Sequence, residues 1–341
     1  MQDGKTNNHG CLWSVVAIVL SFITFGVLSV IGFPSFFAAV LGLIAATLLT
    51  IAMMGKPRKG FLWGSAFFYI TAVLFLRFVF GFISDFSENN KQPTFNKNEQ
   101  IAKSTIIENN DTISVYSSHR AWKDNFGNNY NTNLTVREVD YLALYKHLEG
   151  YNGSNSGNFW GDLYDYLDQK DTPKLDLVIA AFTEIQTTQN LNQMEFAEMV
   201  VTCIQDIPYS LVFEGECLPP ENYEYEIQRV LKDCPECCVG DVKFGVQNPV
   251  TFLQSLKGDC DSRTVLIYAI LKYFGYDIAI LNSNYYRHSI LGINIPGAGT
   301  YKTHYGKRYL LWETTNKYFK AGDLPSTFNN VSYWDVVLTS K

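Results

Sequence analysis

Long uncharged runs at the start of the chain give way to shorter, alternating runs further on. No charged residue occurs from Gly10 to Gly55, and a third apolar run, Gly60 to Ile83, contains one charge, Arg77. A helix that crosses a membrane needs about 20 consecutive apolar residues. We therefore predict a transmembrane region over residues 1–86, with helices at about 11–31, 35–54 and 60–83.

The short loop between the second and third runs is strongly basic, Lys56-Pro57-Arg58-Lys59. Short loops rich in lysine and arginine stay in the cytoplasm. This predicts an integral membrane protein with a cytoplasmic N-terminus and a C-terminal domain outside the cytoplasm.

The middle of the chain combines a polar linker with helix signals. Residues 87–190 are interpreted as a linker and a small, mostly helical region that contains one alternating strand at Thr112–Ser118. Capping residues predict helix starts at Thr135, Thr172 and Asn192. The apolar stripe of the second helix consists of Leu175, Val178, Ile179, Phe182 and Ile185. Residues 191–341 are assigned to a separate domain.

A cysteine stands at the head of the most apolar helix that the pattern predicts in this domain. Cys260 precedes a run from Val265 to Phe274 that is apolar on nearly every side, and Gly275 ends it. Unpaired N–H groups and the helix dipole stabilise a thiolate at this position. The alternative is that Cys260 is a small buried apolar residue.

Three short strands after this helix carry the candidate partners of the thiol. They are predicted at Asp277–Leu281, at Ser289–Ile295 with His288 at its start, and at Arg308–Thr315 with Glu313 near its end. If Ile295 pairs with Arg308, His288 lies opposite Thr315 and diagonally beside Glu313. A one-residue slip would turn Glu313 away. His304, in the Gly-rich connection, is a competing base.

Gly-Asp-Cys-Asp at the head of an apolar helix, a histidine opening a later strand, and an acid followed by Thr-Thr resemble the core of the transglutaminase-like superfamily. That resemblance implies an α+β, papain-like fold in which a buried helix that carries the cysteine packs on an antiparallel sheet. By residue match it implies Cys260 as nucleophile, His288 as base and Glu313 as orienting carboxylate. The family usually has aspartate at the position of Glu313.

The reaction that this constellation implies is thiol acyl transfer by a cysteine peptidase or amidase. The N–H of Cys260 is one candidate oxyanion donor, and Gln247 and Tyr209 are candidates for the second. Two alternatives stay open: a catalytically inactive binding or scaffolding module, and a transglutaminase that transfers acyl groups to amines.

Four cysteines cluster in one loop-rich segment, Cys217, Cys234, Cys237 and Cys238. Outside the cytoplasm this number allows two disulfides with three possible pairings. The spacing Cys-Pro-Glu-Cys also permits a zinc site. We favour disulfides because of the predicted topology.

The amino-acid composition limits the classes of molecule that this protein can bind. The chain has 341 residues, 47% of them hydrophobic, and a formal net charge of -6. Nucleic-acid binding depends on a basic face, so this class of partner is excluded. We expect the membrane and a protein or peptide substrate as partners, and the sequence indicates no cofactor and no catalytic metal.

Overall fold

The computed structural model divides into two compact units, Met1–Asn89 and Asn90–Lys341. The residues that it describes are Trp13, 16–21, 23–24, Val27, 35–55, 101–153 and 156–340. All residues that the sequence analysis places in a functional site belong to the second unit.

The first unit contains one helix with continuous bounds, α1 (Ser35–Met54). Among the described residues, no helix offers the length of apolar side chains that a membrane crossing requires. In α1 the described side chains begin at Leu41, and the first apolar run is described only in short stretches. The third predicted helix, 60–83, lies outside the described residues. The finding contradicts the predicted transmembrane region, the integral membrane assignment and the extracytoplasmic placement of the C-terminal domain.

A three-stranded antiparallel sheet opens the second unit, with the order β1 (Ala102–Glu108), β2 (Asp111–Lys123) and β3 (Asn129–Arg137). The pattern predicted only part of β2. The prediction of a capping box at Thr135 is wrong, because Thr135 lies in β3 and pairs with Ser117 of β2.

Four helices follow the sheet: α2 (Glu138–Leu144), α3 (Phe159–Asp171), α4 (Asp176–Gln189) and α5 (Gln193–Asp206). The stripe predicted for α4 is buried, as its spacing required. The capping box of α5 is confirmed, since Asn192 accepts from the N–H of Glu195 and the Glu195 side chain accepts from the N–H of Asn192.

Two very short parallel strands and three helices lead to the second sheet. They are β4 (Leu211–Val212), α6 (Tyr225–Asp233), β5 (Cys238–Val239), α7 (Pro249–Ser255) and α8 (Cys260–Tyr273). Residues Val265 to Leu271 of α8 are fully buried, as the apolar run predicted. Gly275 follows α8 with φ +82°, the conformation that a glycine adopts after a helix end.

The second sheet has five antiparallel strands in the order β10-β6-β7-β9-β8. Their bounds are β6 (Ile278–Ser283), β7 (His288–Ile293), β8 (Tyr301–His304), β9 (Lys307–Trp312) and β10 (Asp335–Thr339). Helix α8 packs against β6 and β7. The predicted α+β class is therefore confirmed for the described residues.

The register between β7 and β9 decides which side chains meet at the ends of these strands. Leu291 pairs with Trp312 and Ile293 with Leu310, which is the register that was inferred from the sequence. The segment between the two strands is not a simple hairpin, because β8 lies within it and pairs with the outer side of β9.

Candidate functional site

Cys260 is the first residue of α8, and the residues before it shape the start of the helix. Asp259 Oδ1 accepts from the backbone N–H of Ser262 at 3.1 Å and from its hydroxyl at 2.9 Å, so this carboxylate caps the helix. A Cβ at Gly258 would lie 2.6 Å from the Phe252 ring. Gly258 therefore lets the chain pass closely over α7 before it enters α8.

His288 and Glu313 meet at the ends of β7 and β9. His288 Nε2 lies 2.9 Å from Glu313 Oε2. The other carboxylate oxygen, Oε1, accepts from the N–H of Thr315 at 2.7 Å and from its hydroxyl at 2.5 Å. Glutamate thus reaches the imidazole with its extra methylene, and both of its oxygens are hydrogen-bonded.

The His288 ring also lies close enough to the Cys260 thiol for each group to shift the pKa of the other. Because Nε2 faces Glu313, Nδ1 is the ring nitrogen that remains for the sulfur. The structure therefore brings together the three residues of the predicted triad.

Within this triad, the pKa values of His288 and Glu313 are shifted in opposite directions. Burial lowers the pKa of His288, but the Glu313 carboxylate and Cys260 outweigh burial and hold that pKa well above its ordinary value. Burial raises the pKa of Glu313, and His288 and Thr315 outweigh it, so the pKa lies below its usual range. Glu313 and His288 therefore form a charged pair at neutral pH.

The thiol does not show the lowered pKa that its place at a helix start suggests. Burial raises the pKa of Cys260, the Asp261 carboxylate raises it further, and His288 opposes both. Cys260 Sγ lies 3.9 Å from Asp261 Oδ2. Asp261 thus contacts the sulfur, whereas Asp259 uses its Oδ1 to cap the helix and has the smaller effect on the pKa of the thiol.

Asp261 is held by two residues that the sequence analysis missed. The Tyr164 hydroxyl donates to Asp261 Oδ1 at 2.5 Å, and Asn282 Nδ2 donates to that hydroxyl at 2.8 Å. Tyr164 lies on α3, and 97 positions separate it from Asp261. No local spacing signals a contact of that range.

Arg263 is a second residue whose role the sequence did not reveal. Its buried guanidinium donates to the carbonyls of Ile204, Ile207 and Pro208 at 2.6–2.8 Å, and its Nε donates to Gly258 O at 3.1 Å. Arg263 forms no ion pair with Asp259, the carboxylate that caps the helix. Arg263 instead ties the loop before Cys260 to the end of α5.

The two oxyanion candidates lie near the start of α8. The Gln247 N–H donates to Ser262 Oγ at 3.2 Å, and the buried Oε1 of Gln247 has no hydrogen-bond partner among the described residues. Burial, followed by the charges of Cys260 and Asp259, raises the pKa of Tyr209 well above its ordinary value. The Tyr209 hydroxyl therefore stays protonated and able to donate beside the thiol.

The four clustered cysteines form two disulfides, Cys217–Cys238 and Cys234–Cys237. The predicted disulfides are thus present, and the rival zinc site is not formed by these residues. The disulfide-bonded segment also touches the chain just before two of the three triad residues, Cys260 and His288. Lys257 Nζ donates to Glu236 O at 2.9 Å, and Arg287 Nη2 lies 2.8 Å from Glu224 Oε2.

Aromatic rings cover one side of His288. The ring centroid of Phe328 lies 5.0 Å and that of Trp334 lies 6.0 Å from the imidazole. The competing base, His304, lies on the edge strand β8 and contacts Tyr305. It takes no part in the triad.

Asp259, Cys260 and Asp261 are close enough to hold a metal ion, since their ligand atoms lie within 4.8 Å of one another. Asp259 Oδ1 already accepts two hydrogen bonds and Asp261 Oδ1 accepts one from Tyr164. These contacts use one oxygen of each carboxylate within the start of the helix.

The site therefore contains a thiol, an imidazole that is hydrogen-bonded to a carboxylate, and a second carboxylate beside the sulfur. This order of groups is suited to nucleophilic catalysis. In comparisons with known proteins, no family model, no curated protein and no solved structure matches this chain.

Proposed function

We propose that this protein is a cysteine hydrolase, a peptidase or amidase, that works by thiol acyl transfer. The observation that carries the proposal is the buried chain of contacts from Glu313 through His288 to Cys260, with 2.9 Å between His288 Nε2 and Glu313 Oε2. A general base that is oriented by a carboxylate and placed beside a nucleophile is the arrangement used in acyl transfer.

In the proposed reaction, the Cys260 thiol first loses its proton to solvent, and the thiolate beside the His288 imidazolium attacks an amide carbonyl. The tetrahedral intermediate collapses, the C–N bond breaks, and His288 gives its proton to the leaving amine. The neutral His288 ring then takes a proton from the water that attacks the thioester, which restores the thiolate and the imidazolium. The N–H of Cys260 and one of the side chains of Gln247 and Tyr209 serve as oxyanion donors.

The resemblance to the transglutaminase-like superfamily supports this proposal through the same three residues. The one departure, Glu313 in place of aspartate, is compensated by Thr315, which donates two hydrogen bonds to Oε1. The carboxylate is thereby held in the plane that lets Oε2 reach the imidazole.

A second candidate function is a binding module that keeps this fold without turnover. The observation that favours it is the resting thiol, which is 6% exposed and whose pKa is raised by burial and by Asp261. A thiol of this kind reacts slowly unless the His288 imidazolium stabilises its thiolate.

Acylation by p-nitrophenyl acetate separates the two functions. We expect a burst of one nitrophenol per chain and an acetyl group on Cys260, located by peptide mass mapping. Cys260→Ala removes the burst. His288→Asn slows acylation about 100-fold, because the thiolate loses the imidazolium beside it.

His119→Asn is the matched control, since His119 is an exposed histidine that bonds only Asn133 among the contacts described. It should acylate at the wild-type rate. If Cys260 acylates no faster than a small-molecule thiol at the same thiolate fraction, the enzyme proposal fails and the binding module is favoured.

A further inference from the structure

The carboxylate of Asp261 lies beside the reactive sulfur but takes no part in the triad. Its Oδ2 is 3.9 Å from Cys260 Sγ, and its Oδ1 accepts from the Tyr164 hydroxyl at 2.5 Å. Asp261 is partly exposed, whereas Asp259 on the other side of Cys260 is buried as a helix cap. An approaching substrate therefore reaches the charge of Asp261 and not that of Asp259.

Counting the protons in this network shows a surplus of acceptors. Tyr164 gives its single proton to Asp261, so its oxygen accepts from Asn282 Nδ2. This contact orients the Asn282 amide and leaves its buried Oδ1 without a donor among the described residues. In the part of the chain that the structure describes, Asp261 Oδ2 accepts only from the weak S–H of Cys260, at 3.9 Å.

A neighbouring hydroxyl adds to this surplus. Ser289 pairs directly with Asn282 across β6 and β7, so the two side chains share one face of the sheet. Ser289 is fully buried, and its Oγ has no hydrogen-bond partner among the described residues. Unsatisfied polar atoms are costly in a protein interior. Several of them on one side of a nucleophile indicate a place for a ligand that brings N–H donors.

No described lysine, arginine or histidine forms an ion pair with Asp261. Two nearby basic side chains have other partners, since Lys257 donates to the backbone carbonyl of Glu236 and Arg287 pairs with the Glu224 carboxylate. The negative charge beside the thiol is therefore not compensated by this part of the chain.

We propose that Asp261 binds a primary ammonium group of the substrate next to Cys260, with Asn282 Oδ1 as a second acceptor. An ammonium carries one positive charge and three N–H donors, which match a carboxylate and an acceptor that lack donors. The inference rests on the proposed acyl-transfer function, and it names the chemistry of the group that this site selects.

Two sources can present such an ammonium. It can belong to the acyl donor, as the free N-terminus beside the scissile bond. It can also belong to the acyl acceptor. In that case the bound ammonium first loses one proton through Asp261 to solvent, and the free amine nitrogen bonds to the thioester carbon. As the C–S bond breaks and the Cys260 thiolate leaves, the second proton passes from the nitrogen to His288. Both sources place the same ammonium group beside Asp261. They differ in the step that the contact accelerates, which is acylation of Cys260 for the acyl donor and deacylation for the acyl acceptor.

Alkyl methanethiosulfonates test the recognition without a known substrate. The Cys260 thiolate attacks the reagent sulfur, a mixed disulfide forms and methanesulfinate leaves. Rates at Cys260 are read by peptide mass mapping and divided by the rate of each reagent with a small-molecule thiol. We expect the aminoethyl reagent to react about tenfold faster than the hydroxyethyl reagent, the advantage of one charge-assisted contact.

Asp261→Asn should reduce this ratio to about one, while the exposed control Asp111→Asn leaves it unchanged. The ratio is independent of the thiolate fraction, because both reagents meet the same thiol. A trimethylammonium reagent carries the charge without N–H donors. We expect it to react no faster than the hydroxyethyl reagent, and an equal advantage for both cations would overturn the proposal in favour of a general negative field.

A ratio of one in the wild-type protein would overturn the inference while leaving the acylation burst, and so the proposed function, intact. The source of the ammonium is decided by two further arms. Faster acylation by glycine p-nitrophenyl ester than by its N-acetyl form, lost in Asp261→Asn, supports the acyl donor. Faster deacylation of the acetyl enzyme by methylamine, lost in the same variant, supports the acceptor. No preference in either arm would also overturn the proposal.

Discussion

Two buried carboxylate–histidine pairs occur in the second unit, and they differ in charge. Glu313 Oε2 and His288 Nε2 are 2.9 Å apart. The pKa of Glu313 lies below its ordinary value, and the pKa of His288 lies above its ordinary value. Asp171 and His147 are 3.6 Å apart. Burial raises the pKa of Asp171 to about 7 and lowers the pKa of His147.

Hydrogen bonding explains the difference. Both oxygens of Glu313 are bonded, by Thr315 and by His288. Asp171 Oδ1 accepts from Asn248 and from the N–H of Val250, but its Oδ2 has no hydrogen-bond partner among the described residues. An ion pair survives burial only when its remaining atoms are satisfied. The same two groups thus give a charged pair in the candidate site and a neutral pair in the core.

Removing the charge of Glu313 is expected to have the largest effect. Glu313→Gln takes away the carboxylate that raises the pKa of His288. It also places an amide N–H of the new side chain against a hydrogen-bond donor of Thr315. We expect acylation of Cys260 to slow by roughly 100- to 1000-fold. The burst assay with p-nitrophenyl acetate measures this, and Glu184→Gln on the surface of α4 is the control. An unchanged rate would show that the charged pair does not assist the thiol.

The neutral pair makes a prediction about stability and pH. The pKa of Asp171 is raised from 3.8 to about 7 on folding, so the folded state holds a proton that the unfolded state has lost. Stability from this group is complete below pH 3.8 and is lost as the pH rises through about 7.

Asp171→Asn keeps the acceptor for Asn248 and offers an N–H to His147. We expect its stability to gain on the wild type by about 4 kcal/mol between pH 4 and pH 8. Urea unfolding at several pH values measures the difference, with Asp165→Asn as control. A difference that is constant with pH would contradict the neutral pair.

Asp261 tests how far the charged pair controls the sulfur. Since Asp261 raises the pKa of Cys260 and His288 opposes it, Asp261→Asn should lower that pKa. The rate of alkylation by iodoacetamide against pH would then have its midpoint at lower pH. A midpoint that moves upward would show that Asp261 is not charged beside the thiol.

Thr315→Val is the mildest change, and it makes the charged pair of Glu313 and His288 more similar to the neutral pair in the core. It removes the hydroxyl donor of Glu313 Oε1 but keeps the backbone N–H. We expect a loss of about 1 kcal/mol in the free energy of unfolding and a several-fold slower acylation. The pH dependence of unfolding should show a raised pKa for Glu313, and a profile identical to the wild type would contradict the explanation from hydrogen bonding.

Local patterns were enough to predict part of this molecule. The apolar run after Cys260, the glycine that ends it and the capping box at Asn192 depend on residues within a few positions of one another. The register that places Glu313 beside His288 followed from alternation in two strands. At the N-terminus, the length of the uncharged sequence runs was a poor predictor of membrane spans. The described residues contradict the spans that were predicted there.

Sequence alone determined that a thiol begins a buried helix and that an imidazole and a carboxylate lie near the ends of two paired strands, because periodicity and caps act over a few residues. Only the tertiary structure decided which aspartate faces the sulfur, since Tyr164 is 97 positions away from Asp261. It also decided that the pKa of Cys260 is raised rather than lowered. Burial and charge depend on what packs around a group, and distant segments supply most of those neighbours.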